Sequence, residues 1–482
     1  MTVDPSAAAA LQLATALAPI VVVLALLVLR VPSLWAGAAG LASAVLGAAL
    51  AFPVDAAQAE AAIGGMGPLV AEVAVILLGG VSLAEGMARS GAQDRIAAWL
   101  ERAESGADRT VMLLLLVFGL TPFMESVTGF GLGVVITAPL LIRLGLTPVK
   151  AVVSGLLGLV LVPWGSLGPG TLVAAQLGGV GLDELGVWSA LLTPVVLVVS
   201  MAAVLWLNVG RPTARQLALA AAVIVVETLA LVAANALLGV PLAGIVAGAA
   251  VVALLLAVTR LEQGSLPPTA RALWLALVPY AVLCAGVLAA TALLAATGWA
   301  DALGWLASPA VWSVVAASVA IATAPIARAQ QLALVRAALR RWVPIAGNAI
   351  VFMLLGIVMA TAGMATHLAS TAAQAGIGFV AAIPLIGALG GYLTGSNTGA
   401  AAMLSTATAT SAASLGASPL VALAGQNVAG SFAIIASPPR IALAVGVALP
   451  AGERLPRRML GVLVGAVAAA SVVLGALTLL LA

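Results

Sequence analysis

The chain has 482 residues, of which 63% are hydrophobic and only 7% are charged. A soluble domain carries about 25% charged residues, so this composition excludes a soluble protein and predicts an all-α, polytopic membrane protein. The net charge of +3 comes mostly from short loops and indicates orientation in a membrane rather than nucleic-acid binding. A single cysteine, Cys284, and a single histidine, His367, exclude a disulfide and metal sites built from several such residues. We therefore expect no metal and no cofactor.

Apolar segments long enough to cross a bilayer recur along the whole chain. We expect twelve spanning helices and two further segments, about 110–142 and 371–415, that enter and leave the membrane on the same side. The spanning helices are predicted at 11–30, 33–52, 64–88, 148–178, 186–208, 215–235, 238–259, 272–298, 308–326, 343–366, 417–449 and 459–481.

The loop charges predict which segments cross. Basic loops face the cytoplasm, and the acidic loops, which hold no lysine or arginine, face outwards. Segment 110–142 has Arg109 before it and Arg143 and Lys150 after it. Both of its ends are then cytoplasmic, so it is predicted to be a re-entrant hairpin. Segment 371–415 would enter from outside as a second hairpin, which leaves both termini outside.

The two halves of the chain, 1–260 and 261–482, resemble each other weakly. Leu-Leu-Gly at 77–79 matches the same letters at 354–356, an offset of 277 residues, and residues 144–148 match residues 415–419 at an offset of 271. The predicted crossing directions of the matched helices are opposite. We interpret the halves as an inverted repeat, the arrangement that underlies alternating access in many secondary transporters.

Each predicted hairpin has a polar, glycine-rich tip. The tips are Glu125-Ser126-Val127-Thr128-Gly129-Phe130-Gly131 and Gly395-Ser396-Asn397-Thr398-Gly399. A bilayer tolerates such backbone only where protein or a water-filled cavity surrounds it. A helix that begins after the break presents free N–H groups and a positive dipole end, which suit an anion such as a carboxylate. The alternative is that the hydroxyl residues only cap kinked helices.

Glu125 is the residue that we expect to carry a proton. A carboxylate at bilayer depth costs about 2.5–3.5 kcal/mol on insertion scales, and protonation beside an anion site would remove its repulsion of the substrate. The alternative is a structural glutamate that pairs with an arginine or caps backbone N–H groups. Glu72, Glu85 and Glu227 are further intramembrane carboxylates, and Glu85 is expected to pair with Arg89 four residues later.

Two proline-rich breaks follow the hairpins, at 163–170 and 437–440. Proline at this depth frees backbone carbonyls that a cavity can use. Ser166 lies in the first break and Arg440 in the second, where it is predicted to bind a substrate carboxylate or Glu125. The alternative for Arg440 is an interfacial arginine that ends a half-helix. We also expect Gln426 and Asn427 to line the cavity.

Three other features have simpler interpretations. Trp164 is either a wall of the cavity or a core aromatic residue. His367 is expected on the surface of an external loop. The arginine-rich stretch Arg328–Arg341 is expected to form a cytoplasmic interfacial helix.

The motifs around Glu125, the stretch Gly165–Gln176, the Gly395–Gly399 tip followed by Gln426, and Ser437–Arg440 together resemble the L-lactate permease family. The resemblance covers most of the chain, from about Gly79 to Ala444. It implies a bacterial inner-membrane symporter of protons with L-lactate, D-lactate or glycolate. The second tip also resembles those of divalent-anion/sodium symporters, which implies a scaffold, a moving transport domain and often a homodimer. The residue after Glu125 is often glycine in the family and is Ser126 here, so a related carboxylate remains open as substrate.

We therefore predict a proton-coupled symporter of a small 2-hydroxy monocarboxylate that works by an elevator-like movement within membrane lipid. The predicted substrate site comprises Ser126, Thr128, Gly129, Ser166, Ser396, Asn397, Thr398, Gln426, Asn427 and Arg440, with Glu125 for the proton. A sodium-coupled carboxylate transporter and an uncoupled organic-anion channel or exporter are the alternatives. An enzyme is not expected, because the chain has no HExxH and no GxSxG motif.

Overall fold

The described part of the protein is built from helices. A computed structural model describes residues 5–104, 108–129, 131–265, 267–324, 326–450 and 453–482. Within these ranges there are α-helices, three short 3₁₀ segments, one π-helical turn and no β-strand. This confirms the predicted all-α class. Phe130, part of the first predicted tip, lies outside the described residues.

The described residues of the first half of the chain form twelve α-helices. They are α1 Pro5–Val28, α2 Ser33–Ala51, α3 Ala56–Arg89, α4 Ala92–Glu104, α5 Arg109–Leu114, α6 Thr121–Thr128, α7 Leu132–Arg143, α8 Pro148–Leu157, α9 Pro169–Gly178, α10 Leu182–Asn208, α11 Ala214–Leu238 and α12 Val240–Gln263. The π-helical turn Leu115–Leu120 joins α5 to α6, and the 3₁₀ segment Val162–Leu167 precedes α9.

The second half contains ten. They are α13 Arg271–Thr297, α14 Ala300–Leu303, α15 Pro309–Ala322, α16 Arg328–Thr361, α17 Met364–Ala373, α18 Phe379–Thr394, α19 Asn397–Ser414, α20 Pro419–Ala433, α21 Pro438–Ala448 and α22 Arg457–Leu481.

Eleven helices of the described residues are long and apolar enough to cross a membrane, against the twelve predicted spans. Two predicted spans are missing because 148–178 is broken into α8 and α9 and because α15 has only 14 residues. One helix is added, the continuous arm Arg109–Thr128. The fold is thus that of a polytopic membrane protein. The predicted spans that are missing from the structure are helices that are interrupted or short.

The predicted first hairpin is formed by α5–α6 and α7. The two arms run antiparallel, because Thr121 Oγ1 donates to Thr137 Oγ1 (2.8 Å) while Gly133 lies against the backbone of Thr121 and the side chain of Glu125. A Cβ atom on Gly133 would lie 2.6 Å from the Thr121 carbonyl oxygen, so glycine is required for this approach. Within an 18-residue apolar stretch of the arm Arg109–Thr128, 94% of the residues are buried. Protein, rather than lipid, therefore surrounds this arm.

The second hairpin is formed by α18 and α19. Gly390 of α18 lies against Ala400 and Leu404 of α19, so these arms are also antiparallel. The predicted segment 371–415 begins too early, since Gly376 has a positive φ of 75° and the first arm starts at Phe379. The helix α17 before it contains His367, which is partly buried against Phe52 with the ring centroids 5.7 Å apart. The prediction of a loop at His367 was therefore wrong, because this residue lies in a helix.

The two predicted breaks interrupt helices after each hairpin. Residues 158–168 separate α8 from α9, and residues 434–437 separate α20 from α21. The carbonyl of Pro163, in the first break, accepts a hydrogen bond from Thr171 Oγ1 (2.6 Å). A side chain of α9 thus supplies a partner to a backbone carbonyl within the break.

Helices α2, α3 and α16 pack together on one side of the hairpins. The 34-residue α16 is continuous, so the predicted interfacial helix at Arg328–Arg341 is the first part of this long helix and not a separate element. Arg341 of α16 bridges to Glu85 of α3 at 2.8 Å, and Glu85 also accepts a hydrogen bond from Arg89 (3.1 Å), which confirms the predicted local pair. A Cβ atom on Gly356 of α16 would lie 1.8 Å from the carbonyl oxygen of Ala402 in α19, so this contact needs glycine.

Helices from the two halves of the sequence interleave. Helix α9 packs against α19, and α10 packs against α20 and α22. The predicted division at residue 260 falls close to the end of α12. The division of the chain into two repeats stays a prediction.

Candidate functional site

Both hairpin tips and both helix breaks meet at one cavity of about 430 Å³. That volume lies within the range of about 300–1,000 Å³ typical of small-molecule sites. The tips contribute Glu125, Gly129, Thr394, Gly395, Ser396, Asn397 and Thr398, the breaks contribute Val162, Gly165, Pro169, Gly170, Ile434, Pro439, Arg440 and Leu443, and α2, α3 and α16 contribute Ser33, Leu34, Leu77, Pro344, Ile345, Asn348 and Ala349. Residues far apart in sequence thus form one largely apolar pocket with a few polar groups.

The first tip is occupied by its own glutamate. Gly129 and Gly131 turn the chain with positive φ angles of 68° and 81°, and this turn brings the Glu125 carboxylate to the N-terminus of α7. The N–H of Gly131 donates to both carboxylate oxygens (2.9 Å each), and that of Gly133 donates to Oε2 (3.3 Å). The expectation that these N–H groups are free for a substrate is therefore wrong in this conformation, because Glu125 caps the helix.

Arg440 lies beside the first tip with few partners of its own. Its guanidinium packs over Gly131, and Nη2 lies 3.8 Å from Glu125 Oε1, an ion pair that is too long for a hydrogen bond. The side chain is only 12% exposed, and Nε is buried without a partner among the described residues. A guanidinium has five N–H donors. The cavity therefore contains an arginine whose hydrogen-bonding capacity is almost unused.

The second tip has neutral groups and no charge. Ser396 caps α19 by accepting a hydrogen bond from the N–H of Gly399 (3.2 Å), as the capping alternative predicted for this residue. The first N–H groups of a helix, here those of Asn397 and Thr398, have no intrahelical partner. Asn397 and Thr398 line the cavity, so this helix N-terminus faces the space that Arg440 also borders.

A chain of hydrogen bonds connects the second tip to the first break. Asn397 Nδ2 donates to Asn427 Oδ1 (2.9 Å), and Asn427 Nδ2 donates to the hydroxyls of Thr171 (3.0 Å) and Ser189 (3.1 Å). Thr171 in turn donates to Pro163. Asn427 does not itself line the cavity, and its contacts instead fix the position of Asn397.

Several predicted site residues do not line the cavity. The hydroxyls of Ser126 and Thr128 donate to carbonyls one turn earlier in their own helix, those of Pro122 (2.8 Å) and Met124 (2.6 Å). Gln426 is buried in contact with Thr408 and Ser405. Trp164 donates to Asn235 (2.9 Å) and belongs to the core rather than to the cavity wall. The side chain of Ser166 lies outside the described part of the protein.

Three polar cavity residues were not predicted: Thr394, whose hydroxyl donates to the Gly390 carbonyl of its own helix, Ser33 and Asn348. Ser33 begins α2, and Asn348 lies in α16 four residues after Pro344. Both line the cavity, and Ser33 Oγ and Asn348 Oδ1 are buried with no hydrogen-bond partner among the described atoms. An amide in the middle of a predicted span was the available signal for Asn348. Ser33 offered none, because a serine after proline at a helix start is ordinary.

The other intramembrane carboxylates lie away from the cavity. Glu72 accepts a hydrogen bond from Ser308 (2.7 Å), and Glu85 is held by its two arginines. Glu227 is fully buried in α11, and neither of its oxygens has a partner within the described ranges. Glu125 is thus the carboxylate that borders both the cavity and an arginine.

Comparison with known proteins agrees with the motif resemblance. The chain matches the family model described as L-lactate permease over residues 12–264 and 281–454, which is most of its length. No curated protein matches it significantly. The matched family is one of permeases and not of enzymes, and it indicates transport of lactate across a membrane.

Proposed function

Because this chain belongs to the L-lactate permease family, we propose that it is a proton-coupled symporter of a small 2-hydroxy monocarboxylate such as L-lactate, D-lactate or glycolate. We propose the bacterial inner membrane as its location, with both termini outside, and a homodimer as its assembly. The observation that carries the proposal is Arg440, whose Nε has no partner among the described residues, in a cavity that the N-terminus of α19 also borders.

The substrate carboxylate binds between Arg440 and the second tip. Arginine pairs with a carboxylate through two parallel hydrogen bonds, and the N–H groups of Asn397 and Thr398 add the positive end of the helix dipole. The first tip does not bind substrate in this conformation, since Glu125 already occupies its N–H groups. The substrate carboxylate is thus bound by the second tip and Arg440, and not by both tips as expected from the sequence. Ser126, Thr128 and Gln426 act on substrate binding only through their neighbours.

Glu125 couples the proton to the substrate through Arg440. Without substrate, the Glu125 carboxylate is balanced by Arg440 at 3.8 Å and by two backbone N–H groups. A substrate carboxylate would compete for the same guanidinium, and two nearby carboxylates repel each other. Protonation of Glu125 removes this repulsion and leaves Arg440 to the substrate. Substrate and proton therefore bind together and are released together, which is symport.

The movement that we propose is elevator-like. The two hairpins and the broken helices α8–α9 and α20–α21 would move against α2, α3 and α16. Gly356 lets the backbone of α16 approach Ala402 of α19 closely, at the boundary across which this movement would occur. The order of elements supports an inverted repeat, since a 34-residue helix, a short helix, a hairpin, a broken helix and a long helix occur in that order in each half.

Uptake of labelled L-lactate and glycolate into proteoliposomes tests the proposal, with a pH gradient and a Na⁺ gradient imposed separately. We expect accumulation with the pH gradient alone. Accumulation only with Na⁺ would identify the sodium-coupled alternative, and equilibration without accumulation would identify a channel or uncoupled exporter. No uptake of either acid would overturn the substrate assignment.

A further inference from the structure

The cavity has a second polar side, formed by helices that carry no charge there. Ser33 of α2 and Asn348 of α16 border the cavity, and their oxygens are buried without a partner in the described structure. Asn348 makes no hydrogen bond with any described residue, although its amide has two donors and an acceptor. Buried polar groups in native proteins are nearly always paired. An unpaired amide and hydroxyl at a cavity wall therefore indicate that an occupant completes them.

The two polar sides of the cavity require different chemical groups. Arg440 offers only donors and a positive charge, so it suits an anion. Asn348 and Ser33 are neutral and can both donate and accept, so they suit a neutral group that also does both, which is a hydroxyl. The remaining wall is mainly apolar and includes Leu77 and Ala349. A small molecule with a carboxylate, a hydroxyl and a short alkyl group satisfies all three surfaces.

We propose that Asn348, assisted by Ser33, binds the hydroxyl group of the substrate and selects 2-hydroxy acids over unsubstituted monocarboxylates. This inference rests on the proposed function, because it assumes that the carboxylate binds at Arg440. An acid without the hydroxyl leaves the buried Oδ1 of Asn348 unpaired in the complex. A site built to pair a substrate hydroxyl discriminates strongly against analogues that lack it.

The helices that contribute these residues differ from those that hold the carboxylate. Arg440 and the second tip belong to a broken helix and a hairpin, whereas Asn348 and Ser33 belong to α16 and α2, which pack against each other. Anion binding and hydroxyl selection are thus assigned to different structural elements. A substitution at Asn348 should consequently change selectivity while leaving anion binding in place.

The test is inhibition of labelled L-lactate counterflow in proteoliposomes by unlabelled L-lactate and by propionate. The readout is the ratio of the half-inhibiting concentrations, propionate over L-lactate. In Asn348→Leu, which has a similar volume and no polar group, we expect this ratio to fall about tenfold, within the range of about 5-fold to 150-fold for one buried hydrogen bond. Asn348→Ala removes the same amide without adding a branched side chain, so it carries the same expectation if the leucine variant does not fold.

Thr228→Val is the matched control. The hydroxyl oxygen of Thr228 in α11 is also buried without a partner among the described residues, but Thr228 does not line the cavity, so its substitution should leave the ratio unchanged. Ser33→Ala should lower the ratio by a smaller factor than Asn348→Leu. An unchanged ratio in both Asn348 variants overturns the inference, even if both acids bind more weakly. Failure of the unmodified protein to exchange L-lactate or glycolate would instead overturn the proposed function.

Discussion

The two hairpin tips have the same backbone design and opposite electrostatic character. In each, a positive-φ glycine ends one helix and a second helix begins two or three residues later. The first tip carries Glu125, which caps its own following helix, whereas the second is capped by the neutral hydroxyl of Ser396. Each tip presents a helix N-terminus at the same cavity, but only the first has already bound an anion.

This difference separates the two tasks of a symporter. An internal carboxylate at the first tip can take up and release a proton, whereas the neutral second tip retains the attraction of its helix N-terminus for the carboxylate of a substrate. Arg440 lies next to Glu125 and borders the same cavity as the second tip. Its guanidinium can therefore pair either with the Glu125 carboxylate or with the carboxylate of a substrate. Substitutions at Arg440, Asn397, Glu125 and Ser396 test this division of tasks.

Removal of Arg440 should have the largest effect. In Arg440→Gln, loss of a mostly buried charge partner is expected to cost about 2–5 kcal/mol of substrate binding, which is roughly 30-fold or more in the half-saturating concentration. Arg440→Lys keeps the charge but not the two-pronged geometry, and should recover only part of the affinity. The measurement is concentration-dependent counterflow of L-lactate. Unchanged affinity in Arg440→Gln would remove Arg440 from the site.

Addition of an anion to the second tip should make it resemble the first. Asn397→Asp places a carboxylate at the cavity beside the proposed substrate position, and repulsion between like charges should weaken L-lactate binding about tenfold or more. Asn397→Ala is the control, because it removes the same hydrogen bond to Asn427 without adding charge. The aspartate variant should bind more weakly than the alanine variant at pH 7. Equal affinities would contradict substrate binding at the second tip.

Neutralisation of the first tip should uncouple transport without abolishing it. Glu125→Gln resembles the protonated acid, and its amide oxygen can still accept a hydrogen bond from the N–H of Gly131. We expect counterflow of L-lactate to continue and accumulation driven by a pH gradient to disappear. The measurement compares the two assays on the same vesicles. Accumulation that keeps its pH dependence in this variant would remove Glu125 from proton coupling.

Loss of the cap at the second tip should have the smallest effect. Ser396→Ala is expected to lower the free energy of unfolding by about 1 kcal/mol, the typical value of a helix N-cap. Ser418→Ala removes the cap of α20, where Ser418 accepts from the N–H of Val421, and should cause a similar loss. Of the two, only Ser396→Ala should also weaken L-lactate binding, because Ser396 lines the cavity. Equal effects of both variants on binding would argue against a role for this tip.

Much of this comparison could be predicted from the sequence, because its main features are local. The arginines around segment 110–142 predicted a hairpin, and the glycine-rich motifs at 125–131 and 395–399 located both tips to within a few residues. Proline and glycine located the breaks. Arg440 was predicted because a charge so deep in an apolar stretch needs a partner.

The remaining features depend on how the helices pack against each other, and a local sequence pattern carries no information about that packing. The capping contact of Glu125 depends on the φ angles of Gly129 and Gly131, which rotate its carboxylate towards α7. The inward positions of Ser33 and Asn348 depend on how α2 and α16 rotate against the hairpins. Ser126 and Thr128 looked like ligands from the letters alone, but their hydroxyls bond to their own helix, as serine and threonine commonly do.

An experimental structure with L-lactate bound would test the central claim most directly. The account predicts that the substrate carboxylate lies within hydrogen-bond distance of the Arg440 guanidinium and of the N–H groups of Asn397 and Thr398, with Glu125 still at the N–H groups of Gly131 and Gly133. A carboxylate bound instead to Gly131 and Gly133, with Glu125 displaced from them, would contradict it.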